Sequence, residues 1–157
     1  MEKIRQAEKQ DISRIAELMV VNYRVNFYRI FKNDDYYFKE LNVLDTAAEY
    51  QNDPRTLANT YVYDDGVVKG FIRVKGNEIE KLFVEPEFQS CGIGAKLLGY
   101  AAEKLGAEWL WVLEYNERGM AFYRRNGFEL TGKKMFEDGW IPLLEMALDK
   151  EKGQKNG

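Results

Sequence analysis

The sequence predicts an α/β domain: a mixed, mostly antiparallel sheet with helices on both faces and a central βαβα unit. Three observations predict it. Apolar residues repeat with helical spacing near the N-terminus, the period switches to two from Thr60, and strand and helix then alternate from about residue 79 to 128. Parallel strands need a long crossover, which the helix in that stretch supplies, whereas the tight turns elsewhere imply antiparallel pairing. A chain of 157 residues is long enough to bury one core without disulfides. The domain is expected to occupy residues 1–148, followed by a polar tail, "DKEKGQKNG", at 149–157.

A short strand is expected at about residues 2–6. Asp11 then caps a helix in which Ile12, Ile15, Ala16, Met19 and Tyr23 fall on one stripe. A second, less periodic helix is expected over about 35–50, ended by "NDPR" because Pro54 disfavours helix in the residue before it. "TYVY" and "VVKGFIRV" flank Asp64, Asp65 and Gly66, the composition of a hairpin turn, and "KGN" leads into "EIEKLFV", giving a three-strand meander. Residues 94–105 read as a helix stopped by Gly106. "AEWLWVL" reads as a buried strand, Asn116 caps a short helix that stops at Gly127, and "FELTGKKMF" and "WIPLLEMAL" close the sheet around the turn "EDGW".

The net charge of −3 and pI near 5.2 argue against a nucleic-acid partner, which calls for a basic stripe. No apolar run approaches 18 residues and no signal-peptide pattern opens the chain, so no membrane partner and a cytoplasmic location are expected. Histidine is absent, which removes the usual general base, histidine-based triads and most zinc sites; no metal is expected. The single cysteine, Cys91, has no histidine to activate it and is expected to be a bystander.

The stretch that calls for explanation is "EPEFQSCGIGAKLL", residues 85–98, which puts two glycines at the start of a good helix. Unpaired N–H groups and the positive end of the helix dipole make such a turn an anion site suited to phosphates. A purely structural tight turn is the competing reading. A P-loop is excluded because G-x-x-x-x-G-K-[ST] is missing, and a dinucleotide fingerprint because Leu97 stands where its third glycine belongs.

"EIEKLFVEPEFQSCGIGAKLL", followed by "WVLEYNERGMAFYRRNGFE", resembles the GNAT superfamily of acyl-CoA-dependent N-acyltransferases. Gln89, Gly92 and Gly94 match that family's Q/R-x-x-G-x-G/A signature, and Asn116 with Tyr123 matches its later Asn…Phe-Tyr-x-x-x-Gly-Phe segment. The resemblance implies acetyl-CoA as co-substrate. Its pyrophosphate would rest on the amides of Ser90, Cys91, Gly92, Ile93, Gly94 and Ala95, and its pantetheine arm on the backbone of Phe83 and Val84. Asn116 would bond the pantetheine amides, or serve simply as a helix cap. Cys91 stands where the family often has Lys or Arg, so some phosphate charge is expected to go unpaired unless Lys96 or Arg125 supplies it.

The chemistry so implied is direct attack by a primary amine. An alkylammonium with a pKa near 10.4 is about one part in 2,500 neutral at pH 7, roughly 4.6 kcal/mol uphill. Tyr123 is expected to protonate the departing thiolate, against the reading that it merely packs. The base is expected to be Glu80, which shares a strand face with Glu78, or solvent; an exposed surface charge is the bland alternative. The N–H of Val84 is the expected oxyanion donor. For the acceptor, Tyr23, Phe27 and Phe31 are expected in the core by their i, i+4 spacing. Tyr28, Tyr36 and Tyr37, with Asp34 and Asp35, are expected to form a rim for a cation, joined by Trp140. A small amine such as a polyamine is the favoured acceptor; a peptide N-terminus or lysine is the alternative, and a CoA-binding sensor without turnover the rival. Monomer and homodimer are both open.

Overall fold

The computed structural model describes residues 3–149. Strands β1 (Ile4–Gln6), β2 (Thr60–Asp64), β3 (Val68–Lys75), β4 (Glu78–Val84), β5 (Trp109–Leu113), β6 (Phe128–Glu137) and β7 (Ile141–Leu148) form one sheet in the order β1-β2-β3-β4-β5-β7-β6. Every pairing is antiparallel except β4 with β5. The helices are α1 (Ile12–Phe31), α2 (Val43–Asn52), α3 (Pro54–Ala58), α4 (Ile93–Lys104) and α5 (Glu117–Arg125). The predicted fold class and the order of its strands are those of the structure. The part of the expected tail from residue 150 onward lies outside the described residues.

Two layers of core follow from the period-two alternation of the strands. Val62 and Phe71 are fully buried against Ile15, Leu18 and Met19 of α1 and Tyr50 of α2. Their chain neighbours Tyr63 and Ile72 face the other way, against Leu97, Leu98 and Ala101 of α4. Helices therefore cover both faces.

Two expectations about the helices are corrected. The stretch at 35–50 is not one helix: Tyr36–Glu40 forms a π-helical turn, Leu41 leaves it extended, and Asn42 starts α2 afresh by accepting from Asp45 N at 2.9 Å. The cap of this helix is thus Asn42, inside the stretch expected to be continuous helix. Pro54 ends one helix and opens another, because Asp53 caps α3 with Pro54 in its first turn, where a missing N–H costs nothing.

The feature that creates a site is the short β4–β5 pairing. The two strands meet only at Glu78–Trp109 and Ile79–Leu110, while β5 stays paired with β7 along its length. Beyond Ile79 the strands part, and α4 and α5 start beside the opening.

Candidate active site

The opening between β4 and β5 continues into a cleft of about 1180 Å³, walled by α1, β4, the α4 turn, α5 and the β6–β7 hairpin. Among the residues singled out from sequence, Glu80, Phe83, Val84, Gln89, Ser90, Gly92, Gly94, Ala95, Asn116 and Tyr123 line it. Cys91 and Ile93 do not. Cys91 is exposed, with Sγ 3.7 Å from the Gln89 carbonyl oxygen, and Ile93 is buried in the core under α4.

The turn into α4 is built by backbone conformation. Ser90 and Gly92 both have positive φ, 66° and 85°. Gly92 is the N-cap residue and offers no side-chain cap, and the first helical hydrogen bond runs from Lys96 N to the Gly92 carbonyl. No acceptor within the described residues meets the N–H groups of residues 90–95, which leaves a cluster of donors at the positive end of a 12-residue helix. The two glycines have different reasons. Gly92 supplies the left-handed φ. A Cβ on Gly94 would sit 3.2 Å from the Phe122 ring, so this glycine lets α4 close against α5. Close packing of the two helices, besides any anion at the turn, thus explains Gly94.

Gln89 and Arg118 tie the turn to its neighbours. Gln89 Nε2 donates to the Val84 carbonyl at 3.1 Å and to Asn22 Oδ1 at 3.4 Å, and Gln89 Oε1 accepts from Arg118 at 3.2 Å. Arg118, overlooked in the sequence, is thus the cation beside the free amides. Arg125 also lines the cleft, whereas Lys96 lies over the Tyr63 ring instead. The only sequence signal for Arg118 was its place in the first turn of the helix capped by Asn116.

Backbone direction singles out Val84 on the parting strand. Glu85 N donates to the Lys69 carbonyl, and the Phe83 carbonyl oxygen crowds Gly70, so residues 83 and 85 turn their polar groups toward β3. By alternation, Leu82 and Val84 turn theirs toward the β5 side, where the ladder is missing. Phe83 contributes its ring, packed edge-on against Tyr23 at 5.3 Å.

Tyr123 stands on α5 with its ring against Phe122 and Phe128. Its hydroxyl makes no hydrogen bond among the described residues, and desolvation pushes its pKa up to about 12. Asn116 is the cap of α5, accepting from Gly119 N at 2.9 Å, and its amide NH2 stays available.

Glu80 sits at a bulge. Arg73 pairs with Lys81 and Val74 with Ile79, so Glu80 is the extra residue, and the strict period of two breaks there. Its Oε1 lies 3.3 Å from Arg73 Nε, close enough for an ion pair but not aligned for a hydrogen bond. Arg73 also donates to the Tyr50 hydroxyl at 3.0 Å. Desolvation, with the neighbouring charge of Glu80, raises the Glu78 carboxyl above its ordinary value, and Lys75 acts against it. Both carboxylates line the cleft.

The acceptor wall differs from expectation. Tyr23, Phe27 and Phe31 pack against buried core residues, as their spacing predicts, and also line the cleft, because α1 lies across the opening. Tyr36 and the buried Tyr37 line it too, but Tyr28 does not, being held by its hydroxyl to Asp34. Neither Asp34 nor Asp35 reaches the cleft; Glu137 and Asp138 of the β6–β7 hairpin take the acidic place. Trp140 joins them, packed edge-on against Phe31 at 5.6 Å.

Residues 57–130, which hold β2 to β5, the turn and α5, match the family model of the acetyltransferase (GNAT) domain. Just under half of the chain is thus matched to the GNAT acetyltransferases. The peptidyl-lysine N-acetyltransferase YjaB of Escherichia coli is 32% identical over half of this chain, and an uncharacterised N-acetyltransferase of Mycobacterium tuberculosis, Rv2669, is 33% identical over 59% of it. The matched region spans 54% of YjaB and 65% of the mycobacterial protein. The solution structure of apo YjaB superposes over 92% of this chain and 95% of its own with a TM-score of 0.71 at 24% identity, which establishes the shared fold. Among the described residues no helix is long and apolar enough to cross a membrane.

Proposed function

We propose that this chain is an N-acetyltransferase that moves the acetyl group of acetyl-CoA to a primary amine. One observation carries the reading: the free amides of the α4 turn, the free Val84 N–H on the parted strand and the Tyr123 hydroxyl all open into one cleft. The turn suits a diphosphate and the strand edge an amide-bearing arm.

Acetyl-CoA would supply a thioester, whose C–S bond breaks as the amine's N–C bond forms. The turn's N–H groups and Arg118 would bind its phosphates, and the Asn116 amide its arm. Val84 N–H is the donor best turned toward an oxyanion in the opening. Tyr123, protonated throughout the neutral range, gives its proton to the departing sulfur and regains one from solvent. Glu80 takes the proton lost by the attacking nitrogen, directly or through water. Arg73 beside it holds the carboxylate in place. The rim of Glu137, Asp138 and Trp140 attracts an ammonium group.

YjaB is named a peptidyl-lysine N-acetyltransferase, which supports a lysine-type amine as well as a free small amine. A cytoplasmic location is part of this proposal. Thiol release from acetyl-CoA across a panel of polyamines, amino acids and lysine peptides tests it. Amine-dependent release that collapses in Tyr123→Phe is expected. Acetyl-CoA binding without release for any amine would mark the rival, a CoA sensor.

A further inference from the structure

Two cations stand on the inner wall of the acceptor half of the cleft, Arg73 and Lys81. Arg73 has a carboxylate beside it in Glu80. Lys81 has none within ion-pair distance among the described residues. Its ammonium instead donates to the Tyr23 hydroxyl and lies 5.1 Å from that ring's centroid. The bulge at Glu80 accounts for this placement: with one extra residue in β4, Glu80 and Lys81 both oppose Arg73 and share its side of the sheet, facing α1.

A lysine in a partly enclosed cleft with no anion is an incomplete arrangement, because desolvation is left uncompensated. Tyr23 extends the same logic. Its oxygen accepts from Lys81, which leaves its own O–H to donate, and no acceptor for that proton exists among the described residues. The wall therefore offers an ammonium and a hydroxyl side by side, both donors, matching the two oxygens of a carboxylate. Tyr23 is fixed for the task between Phe27 and Phe83, at ring distances of 5.5 and 5.3 Å.

Glu78 is the complement. It lines the same cleft and has no ion pair among the described residues. An acceptor that carried only positive charge would meet Lys81 and Arg73 at the inner wall as repulsive groups. We infer that the acceptor bears a carboxylate as well as its primary amine, with the carboxylate held by Lys81 and Tyr23 while the amine faces Glu78 and Glu80. This rests on the acetyltransferase reading and narrows it, away from polyamines and toward amino-acid-type amines.

Matched acceptors test it. L-Lysine and cadaverine differ by one carboxylate, as do L-ornithine and putrescine. The ratio of kcat/KM for the acid over the plain diamine is expected to exceed about tenfold in the wild type, the scale of a charge-assisted contact. Lys81→Met is expected to bring that ratio toward one, Tyr23→Phe to lower it less, and Lys81→Arg to keep it. A wild-type ratio at or below one, or a ratio unchanged in Lys81→Met with the fold intact by circular dichroism, overturns the inference while thiol release still upholds the acetyltransferase. No release with any of the four amines or with lysine peptides, despite bound acetyl-CoA, overturns both.

Discussion

Tyr123 and Glu80 carry opposite proton duties, and the structure gives each a distinct signature. Tyr123 sits in apolar surroundings that keep its hydroxyl protonated far above neutrality. Its acid role therefore predicts no loss of activity between pH 7 and 10 from its own titration. Tyr123→Phe is expected to lower kcat by about 10²-fold or more, the lower end of general acid catalysis, because a thiolate needs only modest help to leave. Single-turnover rates with saturating acetyl-CoA would show it. Glu80 predicts a pH-dependent defect. Glu80→Gln should be impaired most at pH 7, where the amine is protonated, with the gap to wild type closing toward pH 10. A gap independent of pH would assign the base role to solvent or to Glu78. Neither duty could be read from sequence with its surroundings attached, since the Arg73 partner of Glu80 and the bulge that presents it arise from strand register.

At the scale of elements, the α4 turn is where conformation and binding meet. Gly92→Ala forces an L-residue to φ near 85° without any steric contact, at a cost of about 1–3 kcal/mol. It also disturbs the donor cluster, so weaker acetyl-CoA binding is expected by calorimetry. Gly94→Ala acts through a different partner. Its Cβ presses on Phe122, the neighbour of Tyr123, so a loss in kcat is expected with less change in acetyl-CoA affinity. The sequence made both glycines visible as a motif but not as two mechanisms, because Phe122 is 28 positions away and meets Gly94 only after α4 and α5 pack. The strands, their turns and the caps at Asn116 and Gly106 were legible, since each is a local property of period or backbone conformation. The broken second helix was not. Nothing local in "DDYYFKELNV" separates a π-helical turn and a fresh cap at Asn42 from a continuous helix.

For the whole molecule, the sheet's outer strand is tied to the helical layer by charge. Arg5 of β1 makes two hydrogen bonds to the Asp11 carboxylate, at 2.8 and 3.0 Å, and two to Asp64 of β2. Asp11 is buried, which pushes its carboxyl up, but Arg5 and the Glu8 backbone N–H more than offset this and hold it below the usual carboxylate range. A depressed folded pKa gives stability that is present above the unfolded value near 3.8 and is lost as pH falls through the folded one. Arg5→Ala is expected to cost about 2–4 kcal/mol at pH 7 by leaving Asp11 unpaired. That deficit should shrink below pH 4, as urea melts at both pH values would show. Such a tie was invisible in the sequence, where Asp11 looked like a helix cap and Asp64 like a turn residue. The fold class, in contrast, needed only periodicity and order, and the site's cofactor half followed from two short motifs. The acceptor half did not, because α1 crosses the parted strands and turns its core stripe into a cleft wall as well.

That the α4 turn and the free edge of β4 together hold acetyl-CoA can be tested before any acceptor is known. Backbone amide shifts can be followed by NMR in this 18.4 kDa chain during an acetyl-CoA titration. The largest saturable changes are predicted at the N–H groups of Ser90, Cys91, Gly92, Ile93, Gly94 and Ala95 and at Val84, with smaller ones at Asn116. Saturable shifts centred elsewhere, or none at millimolar acetyl-CoA, would contradict it.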